Sequence, residues 1–193
     1  MNLPNKITIG RIILTFVFMI LLFSGGVLYK IFALIVFVLA ALSDLLDGYL
    51  AKRNNDVTDF GKLMDPIADK ILVLAAFLAF VEMQLVPAWM VVIIIFRELA
   101  ITGLRILALA KKEILPASME GKHKTVSQMV SIFTILVFIV VREMGIRFFD
   151  IWGVKAEHWF KNMIFLLMLI TVALTLISGV SYLWKNRKIL IRG

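Results

Sequence analysis

Four aspartates, Asp44, Asp47, Asp65 and Asp69, lie within the stretch "SDLLDGYLAKRNNDVTDFGKLMDPIADK" (43–70), between long apolar runs. On a helix turning about 100° per residue, Asp44 and Asp47 fall about 60° apart. Gly48 and Ala51 share their face. Gly61, Asp65 and Asp69 repeat at i, i+4 spacing and form a second stripe. Clustered carboxylates repel, and some would stay protonated if left alone. Two divalent cations would cancel the four negative charges. All-oxygen ligands suit hard cations, Mg2+ or Mn2+. Two such ions held together can clamp a diphosphate and stabilise both attacking and leaving oxygens. Gly48, Ala51 and Gly61 would let a ligand or a facing helix approach the backbone closely.

The bland explanation of a single aspartate near a helix end is a cap or a solvated charge. Asp56 and Asp59 are read that way. Small residues in an apolar helix are usually packing devices. The whole pattern D-x2-D-G-x2-A-(x9)-G-x3-D-x3-D is too ordered for either explanation.

These residues need helices in an apolar setting to hold them. The chain has 193 residues, 62% of them hydrophobic, and a mean hydropathy of +0.99. Soluble domains are nearer half apolar. A bilayer core takes about 20 apolar residues per helix. The sequence predicts an all-α, polytopic membrane protein forming one domain over 1–193, with six transmembrane helices. The spans run over about 8–24, 29–51, 61/65–81, 89–110, 125–141 and 159–184. Pro66 suits a helix start with Asp65 as N-cap, or a kink if the helix begins earlier. The polar link "KRNNDVTDF" would make the second and third helices antiparallel neighbours. The fifth-to-sixth connection, "REMGIRFFDIWGVKAEHWFK", is charged and aromatic and could lie partly in the membrane interface. The N-terminus is read as a retained first helix rather than a cleaved signal.

There are no cysteines, so disulfides and thiolate metal sites are excluded. The net charge is +8, but its positives fall mostly between apolar runs. That points to membrane lipids and phosphate ligands, not to nucleic acid. With six spans, 14 Lys and Arg lie on the side of both termini and the aspartates, against 5 on the other. The positive-inside bias therefore predicts a cell-membrane, multi-pass protein with both termini and the site cytoplasmic.

At the level of family the residues have a counterpart. "DLLDGYLAKRNNDVTDFGKLMDPIAD" resembles the signature of the CDP-alcohol phosphotransferases, integral membrane enzymes of phospholipid synthesis. Asp44, Asp47, Gly48, Ala51, Gly61, Asp65 and Asp69 stand in register with it. The family usually has Arg after the Ala, whereas this chain has Lys52 and then Arg53. That keeps the charge but not the planar fork at that position. The segments "NLPNKITIGRI", "RELAITGLR" and "SMEGKHKTVSQ" resemble the branch that makes phosphatidylglycerophosphate. The resemblance implies the six-helix CDP-alcohol phosphotransferase fold, a homodimer, and transfer from CDP-diacylglycerol to glycerol 3-phosphate.

The resemblance also implies roles. Asp44, Asp47 and Asp65 would hold the metals, with Asp69 completing the second site or serving as base. Spacing alone leaves Asp65 and Asp69 open for the base. Gly48, Ala51, Lys52 and Gly61 would line the CDP-lipid. Asn5, Thr8 and Arg11 form a polar stripe that could cover the nucleotide or anchor the helix at the interface. The acceptor phosphate calls for a second basic pocket. Arg97 and Arg105 lie two turns apart inside the fourth span, where arginine is expensive and usually functional. The expectation is that Arg97 pairs with Glu98 and Arg105 binds phosphate, joined by Lys122, Lys124 and Thr125 at the start of the fifth span. Neither His123 nor His158 is given a ligand role. Rival readings are a relative using serine, inositol phosphate or phosphatidylglycerol as acceptor, and a cation transporter. A transport path should cross the midplane, yet the aspartates cluster toward one surface.

Overall fold

Long apolar runs interrupted by short polar segments leave the backbone one economical solution, helices that satisfy their own hydrogen bonds. A computed structural model describes residues 3–54, 59–110, 119–149 and 152–187, with side chains described outside 3–8, 44–54, 59–69, 105, 107, 109–110 and 119–123. In chain order the helices are α1 (Leu3–Phe23), α2 (Val27–Asn54), α3 (Asp59–Glu82), α4 (Ala88–Ala110), α5 (Met119–Met144) and α6 (Val154–Lys185). A π-helical turn, Gly145–Phe149, follows α5. No strand occurs among the described residues, so the all-α expectation holds. Lys124–Phe149 and Val154–Lys185 are each long and apolar enough to cross a bilayer. Shorter apolar stretches cover Ile9–Phe23 and Val27–Ser43.

Two boundaries correct the sequence reading. The third helix begins at Asp59, not between Gly61 and Asp65. Pro66 is therefore inside α3, not at its first position. Helix α2 also runs on to Asn54, so part of the expected link is helical. Hydropathy detects only the apolar part of a helix, and both ends here are polar.

The chain forms two compact units, Met1–Phe80 with Ile132–His158, and Val81–Ser131 with Trp159–Gly193. In the first, α1 and α2 pack together. Arg11, Thr15, Phe18 and Leu22 are buried on one face of α1, and Ala33, Phe37 and Ala40 on one face of α2. Phe18 and Phe37 meet with ring centroids 5.8 Å apart. The opposite faces carry exposed Ile13, Phe16, Ile20, Phe32, Ile35 and Leu39. Apolar residues outside as well as inside suit a lipid surrounding and not water. The chain is a membrane protein by this measure and by its composition.

The α1–α2 turn closes through Gly26, whose φ of 108° strongly favours glycine. The Ser24 hydroxyl donates to the Ile20 carbonyl at 2.8 Å, and the Lys30 ammonium donates to the Leu22 carbonyl. At the other end of α5, the expected long connection is mostly helical. Glu157 accepts from Arg142 Nε at 2.7 Å and from Trp152 Nε1 at 2.8 Å, which ties the π-turn junction to the start of α6.

In the second unit, Ile101 and Leu104 of α4 pack with Tyr182 and Leu183 of α6. Ser131 of α5 and Thr171 of α6 share a hydrogen bond of 2.6 Å between their hydroxyls.

Candidate functional site

Both aspartate pairs stand on helical backbone in the first unit. Asp44 and Asp47 are three residues apart on α2, and Asp65 and Asp69 four apart on α3. Each pair therefore shares a helix face. Gly48, Ala51 and Lys52 continue along α2, and Gly61 lies on α3. The side chains of these eight residues fall outside the described ones. The carboxylate donor set fits a pair of hard divalent cations in charge and in ligand type. Helical backbone at 44–47 and 65–69 puts each pair on one face of its own helix.

Asn5, Thr8 and Arg11 all lie on α1. The side chains of Asn5 and Thr8 are outside the described residues. Arg11 is buried, 4% exposed, and its carbonyl accepts from Thr15 Oγ1 at 2.9 Å. It thus faces the interior of its unit.

The second unit holds the basic residues expected for an acceptor. Arg105 is on α4, seven residues beyond Glu98, and Lys122 is in the first turns of α5. Both side chains are outside the described residues. Thr125 is exposed, whereas Lys124 is buried and paired with Glu98. The expected Arg97–Glu98 pair is present at 3.4 Å. Arg97 Nη2 also donates to Ser178 Oγ on α6 at 2.6 Å. Gln128 Nε2 reaches the same Glu98 oxygen at 3.5 Å.

Sequence reading missed Gln128, Ser178 and Gly179 as parts of this cluster. The one available signal was the i, i+4 step from Lys124 to Gln128, a polar face on an otherwise apolar helix.

A family model described as CDP-alcohol phosphatidyltransferase matches residues 1–177. The chain belongs to the CDP-alcohol phosphatidyltransferase family. Among members of that family, a CDP-diacylglycerol–glycerol-3-phosphate 3-phosphatidyltransferase of Bacillus subtilis is 38% identical over 198 residues, covering 96% of this chain and 95% of that protein. A protein of the same name from Rickettsia typhi is 36% identical over 183 residues, covering 94% of each. A probable phosphatidylglycerophosphate synthase of Mycobacterium tuberculosis is 39% identical over 134 residues, covering 68% of this chain and 64% of that protein. For a CDP-alcohol phosphatidyltransferase, an aspartate set on consecutive helices and a membrane setting are mutually consistent.

Proposed function

We propose that this chain transfers the phosphatidyl group from CDP-diacylglycerol to sn-glycerol 3-phosphate, giving phosphatidylglycerophosphate and CMP. The observation that carries the reading is the aspartate pattern on two successive helices of one unit, α2 and α3, in a chain of this family. The names of the Bacillus and Rickettsia relatives support the choice of acceptor.

The acceptor hydroxyl forms a bond to the phosphorus that bears the diacylglycerol. The bond from that phosphorus to the bridging oxygen breaks, and CMP leaves. Asp69 takes the hydroxyl proton, a task that a carboxylate within hydrogen-bond reach can perform. Asp44, Asp47 and Asp65, with Asp69, would hold two Mg2+ or Mn2+ ions, which when bound supply charge neutralisation at the diphosphate. Gly48, Ala51 and Gly61 give close access to backbone, and Lys52 offers charge to the diphosphate. Asn5, Thr8 and Arg11 cover the nucleotide. Arg105, Lys122, Lys124 and Thr125 bind the acceptor phosphate. The same reading has all six helices crossing the membrane, termini and site on the cytoplasmic side, and two copies forming a homodimer.

The test is incubation of the purified protein with CDP-diacylglycerol and glycerol 3-phosphate in mixed micelles, with CMP as readout. CMP release should need both substrates, stop with chelator, and return with Mg2+ or Mn2+. Release with serine, inositol phosphate or phosphatidylglycerol in place of glycerol 3-phosphate would reassign the acceptor. No release at all, together with cation flux in liposomes, would overturn the reading.

A further inference from the structure

Arg97 and Glu98 are consecutive on α4 yet reach different helices. Arg97 goes to Ser178 on α6, its stem passing beside Gly179. Glu98 goes to α5. Its Oε1 accepts from Lys124 Nζ and from Gln128 Nε2, and also meets Arg97 Nη1. Lys124 and Gln128 are one turn apart, so a single face of α5 presents both donors. All four side chains are nearly sealed from the surface, with Glu98 and Lys124 each 6% exposed.

Burying an ammonium is costly unless an opposite charge lies against it. Glu98 meets that need, and the ion pair fixes where the Lys124 nitrogen lies. The helices have other means of staying together. Ser131 bonds Thr171 across α5 and α6, and Ile101 and Leu104 pack on Tyr182 across α4 and α6.

We propose that Glu98 is a positioning residue for acceptor recognition: it holds the Lys124 ammonium fixed in direction to receive an anionic phosphate. The proposal rests on the reading above, in which Lys124 contributes to the acceptor site. Glu98 touches no substrate and acts through Lys124. Gln128 completes the cradle from the same helix face.

The experiment is steady-state kinetics on purified full-length Glu98→Gln, varying each substrate separately. Glutamine keeps the shape and the acceptor oxygen but removes the charge. The KM for glycerol 3-phosphate should rise about tenfold or more, while that for CDP-diacylglycerol stays within about twofold. The melting temperature in detergent should fall, because the buried ammonium loses its counter-charge, so the split between the two KM values is the deciding readout. In a cycle with Lys124→Met, the two effects on the acceptor KM should not multiply, because both remove one interaction. An unchanged acceptor KM in Glu98→Gln, equal rises for both substrates, or effects that multiply would each overturn the proposal. Should Glu98→Gln fail to fold, Glu98→Asp decides. It draws the carboxylate back by one methylene and should raise the acceptor KM alone, by about threefold. No change would again overturn the proposal. A parent protein that ignores glycerol 3-phosphate, or a Lys124→Met variant with normal acceptor KM, would sink the underlying reading instead.

Discussion

A methyl group added at Gly179 would stand 2.9 Å from Cγ of Arg97 and 3.4 Å from its Nε. The glycine on α6 is therefore the space that the arginine on α4 fills. Cγ belongs to the inner stem of the side chain, so it cannot swing clear while the guanidinium still reaches Ser178. Gly179→Ala should gain up to about 1 kcal/mol of helix propensity. Overpacking costs typically about 1–3 kcal/mol, so the variant should be net less stable. A lower melting temperature in detergent checks it, and an unchanged or raised one would refute the packing argument.

Gly26 should tolerate alanine poorly. Its φ of 108° disfavours a side chain, and an added Cβ would lie 3.2 Å from Arg147 Nη1. Strain of this kind costs on the order of 1–3 kcal/mol. Thermal unfolding of Gly26→Ala beside Gly25→Ala gives the comparison. Gly25 has nothing within 4 Å of an added Cβ, so that variant should be the milder of the two.

Asp69→Asn keeps shape but removes the base. Turnover should fall by roughly 10²–10⁴-fold, the usual range for general-base catalysis. Quenched-flow or steady-state CMP release measures this. Near-normal turnover would move the base to Asp65, the candidate that spacing alone never separated from it.

Arg105→Ala should weaken glycerol 3-phosphate and leave CDP-diacylglycerol alone. Charge-assisted hydrogen bonds are worth about 1.5–3 kcal/mol each, so a rise of about tenfold or more in acceptor KM is expected. Equal loss for both substrates would mean that Arg105 does not belong to the acceptor pocket.

The helices were legible because 20-residue apolar runs have few alternatives. Gly25 and Gly26 marked the first turn correctly. The polar ends were not legible. Hydropathy is silent on whether "DFGKL" or "MEGKHK" is helical, so α3 and α5 begin earlier than the apolar runs suggest. Pro66 left two readings open, since a proline that suits a helix start can also stand inside one, and the start of α3 at Asp59 selects the second. In the candidate site, the aspartate spacing and the adjacency of Arg97 and Glu98 were visible along the chain. The partners of Glu98 were not, because Lys124 and Gln128 lie 26 and 30 residues away and only tertiary packing joins them. Gly179 gave no signal at all, as its role is to be absent from space another side chain occupies.

The turn between the first two helices satisfies its polar ends from within. Ser24 and Lys30 cover carbonyls at the close of α1, and Gly26 makes the reversal. The reversal between α1 and α2 is thus encoded within residues 20–30, by contacts between groups no more than eight positions apart along the chain.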